Sequence, residues 1–523
     1  MRRTNTMLGG CVAAIALSAT LATADPVVLE SLDGSINVTG TLLSSDAETY
    51  VIETAVGQMR IAASTVTCTG EGCPVAVEVP EFDIAIHGSD TVGEELMPLL
   101  IEGFSSRLEA AVAERREIGA DRVALSVKDA YGNGDKLLDV EILSEGSSVG
   151  LRHLIERKAD IAMSSRPARS EEILTIAQDG RGNLTDIDHE YIVAVDSIIP
   201  VVSPQNDMGS LGMDELAAIF SGRVDNWAQV GGADLPITVY SRNADSGTFG
   251  VFSGQVLAPT GQELSPEAVI LPSNQAIADA VTEDPGGIGY VGFAYLRGAK
   301  PIDLVASCGI KLNAGVFASK TEEYPLERRL RLYVDNSELS DHVEDLLAYA
   351  ISREAEPLIQ KAGFIDLGVV EDDTGLESSR LLEAAEQAGD AFELGVLRQM
   401  LIDLTGAKRL STTFRFAPAS RLLDNKAQRD LGRMIDFLER PENSGREVMF
   451  VGFTDSDGPF SANVALSVGR AETALANLLN HPEAGRLTGL RARAIGYGEL
   501  SPVACNEDFK GRQRNRRVEV WVR

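Results

Sequence analysis

Hydrophobic and polar positions change period several times along this chain, and each change marks an element. Residues 27–67 alternate in steps of two: Ile36-Asn-Val-Thr, Tyr50-Val-Ile-Glu-Thr and Met59-Arg-Ile-Ala read as strands. Asp33-Gly34 and Val56-Gly57 supply turns between them, so a small β module is expected over 25–75. After the connector Pro74–Pro80 the period lengthens. Asp83-Ile-Ala-Ile-His reads as a short buried strand, Gly88-Ser-Asp-Thr91 as a turn, and Leu96, Leu99, Leu100 and Phe104 recur at helical spacing. The unit repeats. Leu138-Asp-Val-Glu-Ile-Leu leads through Gly146-Ser-Ser-Val-Gly150 into a helix carrying Leu151, Leu154 and Ile155. Leu235–Tyr240 leads through Ser241–Gly250 into Phe249, Phe252 and Val256.

Beyond Val369–Gly375, an acidic linker, Leu381, Leu382, Ala385, Phe392 and Leu397 suit one or two amphipathic helices acting as a spacer. The last region changes character. Phe414-Arg-Phe alternates as a strand. Ala427, Leu431, Met434, Ile435 and Leu438 line a helix, and Val448–Phe453 is a strand. Val468, Ala471, Leu475, Leu478 and Leu479 line a second helix, before the strands Leu490–Tyr497 and Val518–Val522. This βαβαββ order predicts a small sheet covered by helices.

The repeated strand–turn–helix unit carries chemistry. The first backbone N–H groups of a helix have no internal partner, and the helix dipole places partial positive charge there. In the third copy Gly247 lets a ligand approach the backbone, Ser246 and Thr248 add hydroxyls, and Arg242 adds a planar fork suited to phosphate or carboxylate. Three such turns converging on one point would make a site for a small oxyanion. A rival reading exists, because Gly146-Ser-Ser-Val-Gly150 also matches G-x-S-x-G between strand and helix, with Ser148 as nucleophile and His189 or His342 as base. No oxyanion-hole motif precedes it, so a serine hydrolase is the minor alternative and no enzymatic activity is expected.

Composition narrows the partners. The 523 residues carry a formal net charge of −31, which disfavours general binding of nucleic acid or anionic membrane. An anion must therefore be held by a local site. Arg2 and Arg3, the apolar run Cys11–Leu21 and Ala22-Thr23-Ala24 form a secretory signal over 1–24. Leu8-Gly-Gly-Cys11 matches a lipoprotein box only loosely, since the apolar run follows the cysteine. The expected compartment is the periplasm, on the cell-wall and outer-membrane side, where cysteines oxidise. Cys68 and Cys73 flank a flexible Thr-Gly-Glu-Gly and are expected to pair. Cys308 and Cys505 are left either to bridge two domains or to stay as buried thiols. With five histidines and none at ligand spacing to a cysteine, no metal site and no cofactor are expected.

Two resemblances complete the reading. Residues 82–367 resemble periplasmic phosphate-binding proteins of the PstS type. The motifs are Gly88-Ser-Asp-Thr91, Gly146-Ser-Ser-Val-Gly150, Asp160-Ile-Ala-Met-Ser-Ser-Arg-Pro167, Leu216–Gly222 with Asn226-Trp227, Arg242–Thr248, and Gly287-Ile-Gly-Tyr-Val291. The resemblance implies two α/β lobes joined by a hinge and closing on phosphate or a similar tetrahedral oxyanion. It also implies service as a solute receptor for an ABC permease, or as a sensor. Carried over by position, the site would comprise Ser89, Thr91, Ser147, Ser148, Ser165, Arg166, Arg242, Ser246, Gly247 and Thr248. The family's proton-accepting Asp is replaced by Ser165. Asp90 and Asp245 are candidates for its role, and Arg166 is a candidate second cation.

Residues 409–523 resemble the OmpA C-terminal peptidoglycan-binding domain through Gly452-Phe-Thr-Asp455, Asn463–Ala471, Gly496-Tyr-Gly-Glu499 and Gly511–Val518. That resemblance implies that Asp455 pairs with the ammonium of diaminopimelate while Arg470 forks onto its carboxylate. Asn463, Leu466, Arg512, Asn515 and Arg516 would shape the groove. The expectation is thus a multidomain chain: signal (1–24), small β module (25–75), two-lobed α/β solute-binding domain (82–367), acidic helical linker (368–408) and α/β OmpA-like domain (409–523). Its function would be oxyanion capture by a protein tethered to the wall. The alternative is a wall-tethered scaffold whose clam docks a protein.

Overall fold

The computed structural model describes residues 26–31, 37–45, 49–62, 65–70, 73, 82–119, 121–130, 134–244, 246–335, 339–372, 391–416 and 423–523. The signal segment 1–24 and Asp245 lie outside the described residues. The chain forms two compact units, Met1–Glu81 and Phe82–Arg523.

The first unit is an antiparallel sheet in the order Gly57–Ala62, Thr49–Thr54, Asn37–Ser45, Pro26–Ser31, Val66–Thr69. The alternation sends Val27, Leu29 and Ile52 into a small core. Cys68 and Cys73 are disulfide-bonded at the edge of this core.

In the second unit, one mixed eleven-stranded sheet runs through both lobes of the solute-binding domain. Its first-lobe part carries Ile84–Gly88, Lys136–Leu143 and Ile161–Ser164, with a long hairpin of Ala110–Gly119 and Arg122–Asp129 at the edge. Its second-lobe part carries Thr238–Ser241 and Gly287–Gly292. Two strands join the parts. Glu190–Val202 is a nearly unbroken apolar run because it is covered on both faces. Its first half pairs with Glu327–Tyr333, with a register shift between Ile192 and Ala194, and its second half pairs with Gly287–Gly292, the change of partner falling between Ser197 and Ile198. Each lobe has its own core, one around Leu100, Ile142 and Leu330, the other around Phe220, Phe252 and Tyr290.

The C-terminal sheet has the order Lys408–Arg415, Arg517–Val522, Glu447–Gly452, Arg491–Gly496. Asn425–Leu438, capped by the Asp424 side chain, and Phe460–Leu479 cover one face. The helix Ala391–Leu404 covers the other, burying Leu397, Met400 and Leu404 against Met449, Val451 and Trp521. The expected spacer is therefore partly a structural helix of the terminal fold, because its apolar stripe has a sheet to bury against.

The terminal domain is seated on both lobes across the joining strands. Toward the first lobe, Asn425 donates to the carbonyl of Thr185 and the carboxylate of Glu190 at 2.9 Å each. Arg429 donates to the carbonyls of Glu190 and Ile187, and stacks 4.5 Å from the Tyr191 ring centroid. On the joining strand, Arg329 bonds Asp424 at 2.9 Å. Toward the second lobe, the fully buried Arg409 pairs with Glu323, and Arg415 donates to the carbonyls of Thr321 and Glu322. A disulfide joins Cys308 to Cys505, which resolves the two open alternatives for these cysteines in favour of a bridge between domains.

Candidate functional site

The three strand–turn–helix units converge where the lobes meet, around a cavity of about 730 Å3. In the first, Ile84–Gly88 ends at Gly88, whose φ of +140° suits glycine, and a Cβ there would lie 2.1 Å from the Met163 carbonyl oxygen. Asp90–Gly93 then opens as a short helix. In the second, Gly146 at φ +104° caps Ser147–Ile155, and its N–H donates to the Gly88 carbonyl at 2.7 Å. In the third, Thr238–Ser241 leads to Ser246, which caps Gly247–Phe252 by accepting from the Phe249 N–H. Phe252 stacks on Tyr290 at 4.0 Å between ring centroids, and the Tyr290 hydroxyl accepts from the Arg242 N–H at 3.2 Å. Aromatic packing thus fixes the turn that aims Arg242.

Thr91, Arg242, Ser246, Gly247 and Thr248 all line the cavity. They come from both lobes and meet at this one cavity. The remaining expected residues do not line it. Ser89 is fully buried, with no partner for its hydroxyl among the described residues. The Ser147 hydroxyl accepts from the Ser165 N–H at 3.0 Å. Arg166 spends both terminal nitrogens on the Glu172 carboxylate, at 2.9 and 2.7 Å, and one of them also on the Ser148 hydroxyl at 3.1 Å. The bidentate pair with Glu172, at the start of the helix Ser170–Gln178, holds Arg166 away from the cavity lining. Among the described residues no histidine hydrogen-bonds Ser148, and His189 is occupied by Asp188.

Periodicity gave no sign of several lining groups. The second arginine of the cavity is Arg328, opposite Asp196 on the joining strands. Asp90, Glu94, Glu95 and Asp121 add carboxylates. The lobes are in contact here: the Gly247 N–H donates to the Asp90 carboxylate at 3.2 Å, and the Tyr295 hydroxyl to Glu95 at 3.4 Å. Burial, with Asp90 and Glu95 adding repulsion, pushes the Glu94 carboxyl up against the opposing pull of Arg242. Burial and Glu95 push the Tyr295 hydroxyl up to about 12.

A second site lies on the terminal domain, where Asp455, Arg470 and Arg516 are all buried. The Asp455 carboxylate accepts from Arg516 at 2.6 Å, so its ion partner is Arg516. One terminal nitrogen of Arg470, and Nε and one terminal nitrogen of Arg516, have no partner among the described residues, nor does the Thr454 hydroxyl. Burial lowers the pKa of the Arg470 guanidinium, Asp455 pulls it back and Arg516 adds to the lowering. Buried donors without acceptors are costly, and two guanidiniums with free N–H groups are suited to a carboxylate. Asn463 donates to the Asp455 carbonyl at 3.3 Å and also to Glu499. Leu466 is exposed beside them on the same helix. Arg512 and Asn515 act locally instead. Arg512 donates to the Asn506 carbonyl at 2.7 Å, and Asn515 accepts from the Val503 and Ala504 N–H groups, holding the rim loop.

Comparison with known proteins agrees with this division. Residues 108–354 match the PBP superfamily domain and residues 415–516 match the OmpA family. Protein SphX of Synechocystis sp. is 28% identical over 292 residues, 52% of this chain and 84% of that protein. Phosphate-binding protein PstS of Bacillus subtilis is 28% identical over 244 residues, 46% of this chain and 76% of that protein. An ABC-type phosphate transport receptor from Vibrio cholerae, known from its crystal structure, aligns over 54% of this chain and 99% of its own at 22% identity, with a TM-score of 0.41. The chain thus carries a PBP superfamily domain followed by an OmpA family domain.

Proposed function

We propose that this protein captures phosphate in its two-lobed cleft outside the cytoplasm while its terminal domain holds peptidoglycan. The observation that carries the first half is the meeting of Arg242, the Gly247–Phe252 helix start and Thr91 in one cavity, in a domain whose relatives include phosphate-binding proteins. Donors preorganised on two lobes suit a tetrahedral oxyanion. Asp90 takes the role of proton acceptor. The Gly247 N–H now donates to the Asp90 carboxylate, so an oxyanion oxygen that shares or takes over that N–H would lie beside Asp90, which is tolerable only with a proton between them. This favours hydrogen phosphate over sulfate.

Calorimetric titration of the mature chain, stripped of bound anion, tests this reading. Phosphate should bind. Arg242→Ala should weaken it by at least about tenfold with the melting curve preserved, since hydrogen bonds to a charged group are involved. Asp90→Asn should admit sulfate. Unchanged phosphate affinity in Arg242→Ala would sink the assignment.

The second half rests on the unfilled guanidinium donors of Arg470 and Arg516 beside Asp455. They suit the free carboxylate end of a diaminopimelate stem. Wild-type protein should sediment with purified sacculi, and Arg470→Ala should remain in the supernatant. Full retention of that variant would exclude this groove as the anchor. A binder held at the wall suits delivery to an ABC permease or local sensing, and sits with the cell wall and outer-membrane side of the periplasm.

A further inference from the structure

Arg328 lines the cleft but is not free to meet a ligand in the way Arg242 is. It lies on Glu327–Tyr333, one of the two strands joining the lobes, and is 6% exposed. Its Nε and one terminal nitrogen donate to a single Asp196 oxygen at 3.0 and 2.8 Å. That same terminal nitrogen donates to the Thr91 hydroxyl oxygen at 3.1 Å, and the other donates to the Gly247 carbonyl at 3.2 Å. One guanidinium therefore touches the first lobe, the second lobe and the strand between them.

We propose that Arg328 is a positioning residue for anion capture, acting through Thr91. The proposal rests on the oxyanion reading of the cleft. A guanidinium has only donors, so in this contact Thr91 Oγ must accept. The single hydroxyl proton of Thr91 is thereby turned away from Arg328, and among the described residues it donates to no acceptor. Thr91 borders the cavity, so that proton is left to donate to an anion there. Without Arg328 the hydroxyl could rotate and present a lone pair to the anion, which repels. The Gly247 contact works on the other wall. It holds the carbonyl at the head of the Gly247–Phe252 helix, and with it the orientation of the neighbouring N–H groups. Asp196 supplies the compensating charge. Arg328 thus fixes donors on both walls while the buried pair stays neutral overall, and the strong attraction of a free cation is left to Arg242.

A plain ion pair between the joining strands would stabilise the fold without acting through Thr91, and a double-mutant cycle separates the two roles. Phosphate affinity of the full chain is measured for wild type, Thr91→Val, Arg328→Lys and the double variant, with melting curves recorded without phosphate. Lysine keeps the charge opposite Asp196, but its single ammonium cannot reach Asp196, Thr91 and Gly247 together. Each single variant should lose about fivefold to tenfold or more in affinity, the scale of one hydrogen bond. The double variant should be little weaker than Thr91→Val alone. Arg328→Lys binding phosphate as wild type does, or losses that multiply in the double variant, would overturn the proposal. If Arg328→Lys does not fold, Asp196→Asn takes its place in the cycle, since it loosens Arg328 without removing its donors, and the same two outcomes are read. A wild type that binds no phosphate removes the oxyanion reading and this proposal together. A wild type that binds normally beside a neutral Arg328→Lys removes only the proposal.

Discussion

If the cleft takes phosphate as proposed, Glu94 is expected to make its affinity depend on pH. Its carboxyl titrates above the ordinary glutamate range because of burial, with Asp90 and Glu95 adding repulsion, and only Arg242 pulls the other way. A carboxyl whose folded value is raised favours the folded state while protonated. Its contribution is complete below the unfolded value of about 4.3 and is lost as the pH rises through the folded value. Anion binding and protonation of Glu94 assist each other for the same electrostatic reason. Phosphate affinity measured on the acid side of neutrality should therefore fall with rising pH, and Glu94→Gln should flatten that slope and raise affinity at neutral pH. An identical slope in the variant would assign the dependence to another group. At this scale the sequence was readable where residues are contiguous. Arg242, Ser246, Gly247 and Thr248 sit within one turn. Arg328 reaches Thr91 from 237 positions away, and its strand Glu-Arg-Arg-Leu-Arg-Leu-Tyr looks like a solvated edge until its pairing is known.

The turns are held by close packing of backbone on backbone. A Cβ on Gly150, inside the helix Ser147–Ile155, would lie 2.4 Å from the His87 carbonyl oxygen. Helix and strand therefore touch without a side chain between them, which keeps the Gly146 turn against Gly88 at the cleft wall. Gly150→Ala should push the helix outward. It should cost about 1–3 kcal/mol of stability, read by denaturant melting, and weaken phosphate binding as well. A stable variant with altered affinity would still support the positional role, whereas one unchanged in both would contradict the tight approach. Elements of this kind were legible because period and turn residues agree. The hairpin Ala110–Asp129 was not, since Glu114-Arg-Arg-Glu117 lies on an exposed edge strand with no buried face to impose alternation. The helix Ala391–Leu404 was recognised as amphipathic, but the sheet it covers is completed only by the last strand of the chain, Arg517–Val522.

For the whole molecule, the succession of domains could be read and their seating could not. The seam is made by arginines, Asn425 and a disulfide, whose partners are separated by 86 to 242 positions. Arg429 and Asn425 grip the first lobe, while Arg409, Arg415 and Cys505 grip the second. A disulfide across a long sequence separation typically contributes about 2–4 kcal/mol. The Cys308→Ser/Cys505→Ser variant should melt earlier than wild type by calorimetry. Adding Arg429→Ala should split the trace into separate transitions for the solute-binding and terminal domains. A single unchanged transition in the triple variant would show that the remaining contacts suffice. The Cys505 end of the bridge belongs to the loop that Asn515 holds at the rim of the carboxylate groove, so the covalent link leads from the second lobe to the edge of the proposed wall-binding site.

That bridge also closes a ring. Every residue from Cys308 to Cys505, including the acidic linker between the domains, lies on a covalent loop. A protease that cuts once anywhere between them opens the loop but leaves both pieces joined. A nicked molecule should therefore run as two fragments on a denaturing gel with reductant and as one species without it. If the terminal domain holds the wall as proposed, a single cut in the linker would not part the solute-binding domain from it; detachment would require cleavage and reduction together.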